Sequence, residues 1–127
     1  MTTSNSPSQL VLLGYTFIGG ALGAVSRGFI THFGSDPIDI FITNIIGSFI
    51  LALALTVPAL AKPERQALLG SGFAGGFTTL SGIAILAVLG KLSPDIVVAY
   101  ISLSIVFGLL AYWMGDAVGR RIKRASK

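Results

Sequence analysis

With 127 residues the chain has room for a single domain, and 53% hydrophobic against 11% charged residues leaves it short of the polar side chains that a water-facing surface needs, since a soluble domain carries about 25% charged residues. It contains no cysteine, which excludes disulfides, thiol catalysis and thiolate metal sites. The net charge of +4 does not describe a nucleic-acid surface, because five of the nine Lys and Arg residues lie in the last eight positions.

In chain order, residues 1–9 are polar and hold no basic residue, so they lack the charged start of a secretory signal and are expected to form a short disordered tail. A membrane core about 30 Å thick is crossed by roughly 20 apolar residues in a helix. Stretches at about 10–33, 38–61, 67–89 and 96–118 meet that length, each apolar all the way round. The turn-like separators carry Pro37, Pro63 and Pro94, and proline suits the first turn of the helix that follows it. Loops this short force consecutive helices to lie antiparallel and adjacent. The expected fold is therefore an all-α membrane protein, with a four-helix transmembrane domain over 10–119 and a basic tail over 120–127. Tyr112 and Trp113 sit where an interfacial aromatic belt is expected. Lys62, Arg65, Arg120, Arg121, Lys123, Arg124 and Lys127 share one side of this layout, against Lys91 on the other side and Arg27 within the first span. The positive-inside rule then places both termini in the cytoplasm, with the protein in the plasma (inner) membrane.

Within apolar spans, the polar residues carry the information. Asn44 and Ser48 are four apart on one helix face with Gly47 beside them; an amide at that depth either bonds a neighbouring helix or lines a watery path. The stretch Gly70-Ser71-Gly72-Phe73-Ala74-Gly75-Gly76-Phe77-Thr78-Thr79-Leu80-Ser81-Gly82 holds five glycines and four hydroxyl residues. Gly72 and Gly76 form a GxxxG packing pair, but packing does not require the adjacent Thr78 and Thr79, and a break at the helix centre is expected. A break frees carbonyls able to coordinate a hard cation such as sodium, and it survives at that depth only when buried in protein or lining a cavity. Arg27 follows a run of small residues near a helix end; such a side chain ordinarily snorkels to the headgroups, and it can also attract an anion at a pore mouth. Tyr100, Ser104 and Gly108 are spaced by four, which aligns two hydroxyls and a gap on one face, either as an anion track or as ordinary interhelical bonding. The lone His32 and the acids Asp36, Asp39, Glu64, Asp95 and Asp116 lie at span ends or in loops, with no nucleophile–base pair or metal-ligand cluster, so no enzyme is expected.

Three of these motifs together resemble the Fluc/CrcB fluoride channel family. Gly19-Gly20-Ala21-Leu22-Gly23-Ala24-Val25-Ser26-Arg27 is similar to its first-helix signature, Asn44-Ile45-Ile46-Gly47-Ser48-Phe49 to its second, and Gly72 to Thr79 to its third-helix break. Tyr100 and Ser104 fit its fourth-helix hydroxyl track less specifically. The resemblance implies an antiparallel dual-topology dimer with two narrow pores, passive export of fluoride, and a structural sodium ion at the dimer interface held by main-chain carbonyls matching Gly75 and Thr78. It implies a pore lined by Asn44, Ser48, Thr79, Leu80, Ser81, Ile83, Tyr100 and Ser104, with Arg27 in the anion vestibule. Its partners would be fluoride, the lipid bilayer and a second subunit, with no nucleic acid.

The chain departs from that pattern in two respects. Leu80 and Ile83 stand where the family usually has two phenylalanines whose ring edges face the ion. The seven-to-two distribution of basic residues also predicts one fixed orientation, whereas a homodimeric member inserts in both. Together these lead to the expectation of a heterodimeric channel with a paralogue supplying the phenylalanines; a self-sufficient homodimer and a non-conducting membrane subunit stay open. A proton-coupled multidrug transporter is rejected, because its mechanism needs an acid in the first span and the only charge there is Arg27.

Overall fold

The computed structural model describes residues 7–32 and 36–126. Four helices in it are long and apolar enough to cross a membrane: Gln9–Ile30, Pro37–Thr56, Pro63–Val88 and Pro94–Ala125. Most of the sequence expected as a disordered tail, and Phe33 at the expected end of the first span, lie outside the described residues, while Gln9 already opens the first helix. Ser8 caps that helix, its Oγ accepting from the Val11 amide at 3.3 Å. Asp36 caps the second in the same way, from the Ile38 amide at 2.8 Å. Pro37, Pro63 and Pro94 each occupy the opening turn of a helix, where a missing amide costs nothing.

The second helix ends at Thr56 rather than near 61, because Pro58 cannot continue it and starts a short 3-10 turn, Pro58–Leu60. The third helix is not uniform. It begins as α-helix over Pro63–Gln66, widens to a π-helix over Ala67–Ala74, tightens over Gly75–Phe77, breaks, and resumes over Ser81–Val88. The fourth helix runs for 32 residues, so the basic segment after 119 continues it to Ala125, with Arg120 paired to Asp116 one turn back.

Small residues set the helix spacing. A Cβ at Gly76 would collide with the Gly20 carbonyl oxygen, so the first and third helices touch through their backbones. The GxxxG packing expected of Gly72 and Gly76 is thus present together with the break. The second and fourth helices meet along Ser48 and Gly108, Phe49 and Gly115, and Thr56 and Gly119. Ile40, Ile83 and Leu86 form a buried cluster against which Leu92, Val97 and Tyr100 pack. Large apolar side chains outside it, such as Leu10, Phe17, Phe29, Leu109 and Trp113, are exposed in the single chain, as suits a protein whose solvent is lipid.

Candidate functional site

The site is built on the interruption of the third helix. Thr78 has extended backbone, φ −81° and ψ 154°, and this ends the helical bonding that began at Pro63. Every backbone group released at such a depth needs a partner. The Thr79 amide, which would otherwise bond the Gly75 carbonyl, donates to Asn44 Oδ1 at 2.7 Å. Asn44 Nδ2 donates in turn to the Thr79 carbonyl at 2.9 Å. The amide orientation is fixed by this pair, because a flipped side chain would set donor against donor. Arg27 reaches in from the first helix, its Nη1 donating to the Thr78 carbonyl at 3.0 Å. Two other helices therefore hold the break at consecutive residues.

Two open cavities meet at this point. One, of about 510 Å³, is walled by the second, third and fourth helices and lined by Asn44, Ser48, Gly75, Thr79 and Ser104 among others. Among the described residues no charged side chain lines it. The other, of about 440 Å³, lies toward the far end of the first helix and is lined by Arg27, Thr31, Thr79, Ser81 and Gly82 with apolar neighbours. Thr79 is the one residue common to both.

Most of the residues expected from the sequence converge here. Asn44, Ser48, Gly75, Thr78, Thr79, Leu80 and Ser104 line the first cavity, and Arg27 and Ser81 the second. Arg27 does not snorkel: its guanidinium turns inward to the break. Ile83 is a correction, since at 1% exposure it packs into the Ile40 and Leu86 cluster and lines neither cavity, whereas Leu80 is 58% exposed at the edge of the first. Tyr100 lines neither cavity as well; its ring meets Phe41 edge-on at 6.0 Å. The hydroxyls of Tyr100 and Ser104 are both buried and bond no neighbouring helix; on the fourth helix they lie close enough to interact with each other. Helix–helix bonding, the ordinary explanation for that pair, does not account for them. Sequence reasoning missed Phe41, three residues before Asn44 on the same face, whose ring also meets Phe107 at 5.7 Å. It also missed the cavity-lining role of Ser71.

Among the described residues no group of His, Asp or Glu side chains is placed to hold a metal. The main chain at the break is better suited to a hard cation. The Gly75 carbonyl has lost its helical donor to Asn44, and nothing lies within 4 Å of where a Gly75 Cβ would stand. The Thr78 carbonyl keeps a second lone pair beside the one that Arg27 uses. Neutral oxygen donors of this kind fit sodium.

Comparison with known proteins identifies the family of the chain. Residues 14–116 match the family described as CrcB-like protein, Camphor Resistance (CrcB). The chain is 34% identical over 114 residues to the fluoride-specific ion channel FluC 2 of Bacillus subtilis (strain 168), covering 84% of this chain and 86% of the relative. It is 38% identical over 108 residues to the fluoride-specific ion channel FluC of Methanopyrus kandleri, covering 79% and 82%. It is 37% identical over 106 residues to the fluoride-specific ion channel FluC 2 of Rhodococcus jostii (strain RHA1), covering 77% and 90%.

Proposed function

Because this chain belongs to the CrcB family of fluoride-specific ion channels, a family of multi-pass membrane channels and not of enzymes, we propose that it is a subunit of a passive, fluoride-selective channel that exports cytoplasmic fluoride and so relieves its toxicity. The observation that carries this reading is the first cavity: largely apolar, free of charged side chains among the described residues, and dotted with the Asn44 amide and the hydroxyl residues Ser48, Ser71, Thr78 and Thr79. Fluoride is small and strongly hydrated, so a path for it must replace water with several weak donors. Basic side chains reaching into the path would bind it too tightly to release it. Arg27 stands in the adjoining cavity, outside the first, where it draws anions toward the mouth without trapping them.

The working unit in this reading is an antiparallel dimer, its partner a paralogue and its termini cytoplasmic. The basic residues support one orientation for this chain, and an oppositely oriented paralogue completes the pair. That paralogue supplies the ring edges that Leu80 and Ile83 lack, a need made sharper by the burial of Ile83. Sodium belongs at the dimer interface, where the Gly75 and Thr78 carbonyls of this chain would hold it; when bound it supplies fixed positive charge beside the break.

Fluoride efflux from liposomes, read with a fluoride electrode and with chloride as control, tests the proposal. The protein alone should be silent, and co-reconstitution with an oppositely oriented paralogue should give selective efflux. Selective efflux from the protein alone would establish a homodimeric channel in place of the heterodimer. Silence with the paralogue would leave a non-conducting membrane subunit.

A further inference from the structure

Five hydroxyl residues line the 510 Å³ cavity: Ser48, Ser71, Thr78, Thr79 and Ser104. Their value to an anion depends on where their protons already go, because a hydroxyl has only one to give. Ser48 Oγ donates to the Asn44 carbonyl at 2.8 Å, and Thr78 Oγ1 to the Ala74 carbonyl at 3.0 Å. Thr79 Oγ1 shares a hydrogen bond with Ser81 Oγ at 3.0 Å. The Ser104 hydroxyl is buried, with the Tyr100 hydroxyl beside it. Among the described residues Ser71 makes no side-chain hydrogen bond.

The backbone explains why Ser71 is free. A serine or threonine in an α-helix commonly turns back onto the carbonyl four residues earlier, as Ser48 and Ser102 do here. Ser71 instead lies inside the π-helical stretch Ala67–Ala74. There each carbonyl is directed to the amide five residues on, and the wider turn carries the Ala67 carbonyl away from the Ser71 hydroxyl. The Ser71 side chain is exposed, and Gly75, four residues on, offers nothing to cover it.

We infer that Ser71 is an anion-contacting residue of the pathway, a hydroxyl donor from the third helix; this rests on the channel reading above. With Gly70 and Leu51 it lines the part of the cavity toward the Pro63 end of the third helix, the end that carries Lys62 and Arg65. An anion moving between that basic end and the break passes it. The π-helix is then a device that keeps one hydroxyl proton uncommitted.

The test uses the conducting dimer in liposomes, with the substitutions Ser71→Ala, Ser71→Cys and Ser71→Thr compared with the unaltered protein. Alanine and cysteine both lack a strong donor, yet cysteine preserves size, so both should slow fluoride efflux roughly tenfold, the effect of one hydrogen bond to a charged group. Threonine should restore most of it. Efflux within twofold of the unaltered protein for both Ser71→Ala and Ser71→Cys would overturn the inference while leaving the channel reading intact. Loss with alanine but not with cysteine would assign Ser71 to packing and would overturn it too. Absence of fluoride efflux from the unaltered dimer would instead overturn the channel reading itself.

Discussion

The side-chain amide of Asn44 and the peptide group of Thr79 exchange two hydrogen bonds, at 2.7 Å and 2.9 Å, across 35 residues of chain. Asn44 therefore does for the broken third helix what a neighbouring turn does for an intact one. Asn44 is 9% exposed, and Asn44→Ala leaves both Thr79 groups without this partner, which should cost about 2–4 kcal/mol. Asn44→Asp keeps an acceptor for the Thr79 amide, but it sets a carboxylate against the Thr79 carbonyl and places negative charge in the cavity. Fluoride efflux should then fall by more than about a hundredfold. Thermal aggregation followed by size-exclusion chromatography separates the two effects: the alanine variant loses stability, and the aspartate variant loses flux beyond any loss of folded protein.

Arg27 contributes both a hydrogen bond and a charge, and salt distinguishes them. Arg27→Gln can still donate to the Thr78 carbonyl but carries no charge. Its efflux should be several-fold below the unaltered protein at low ionic strength and approach it near 1 M salt, where the screening length is about 3 Å. Arg27→Ala also loses the donor, and its deficit should persist at every salt concentration. A flux that is equally salt-dependent in all three proteins would remove Arg27 from the electrostatics of the mouth.

Close backbone packing makes glycine positions unequal. Gly76→Ala meets the Gly20 carbonyl and has no side chain it can push aside, so it should destabilise the protein by about 2 kcal/mol or more. Gly14→Ala meets nothing within 4 Å and should be neutral or stabilising by up to about 1 kcal/mol, since alanine is the better helix former. Comparing melting temperatures of the two variants in one detergent checks both.

Orientation is testable because the chain contains no cysteine. A Ser126→Cys variant carries a single thiol, and in intact cells it should resist a membrane-impermeant maleimide. Replacing Arg120, Arg121, Lys123 and Arg124 with glutamine in that background removes four of the seven basic residues on that side, and a mixed population with part of the thiols labelled should result. Labelling of the first variant to completion would reverse the assigned orientation.

The four spans were legible because apolar length is a property of composition, and the break was legible because Gly75-Gly76 followed by Thr78-Thr79 is poor helix material. Asn44, Ser48, Thr79 and Ser104 were found because a polar side chain at that depth needs a reason. The π-helix was not visible: Ala67–Ala74 reads as ordinary helix, and neither its wider turn nor its close backbone packing on the first helix is encoded in apolar periodicity. Ile83 was misassigned for a related reason. Residues after a break are re-aimed by the backbone angles within it, so the face on which Ile83 lies could not be extrapolated from the half before Thr78. Arg27 was placed near the site, but its bond to Thr78, 51 residues away, is a contact that helical spacing does not encode.

An interrupted helix resembles a hinge, yet this one is fastened. Thr78 is tied to the first helix through Arg27, and Thr79 is tied twice to the second through Asn44. Movement of the break at Thr78 and Thr79 relative to the first and second helices would have to tear these bonds. A machine that pumps needs a joint that flexes once per cycle, and the fastening at Thr78 and Thr79 removes it from the natural place. That fastening suits the proposed passive channel, in which an ion travels only as far as its own gradient drives it.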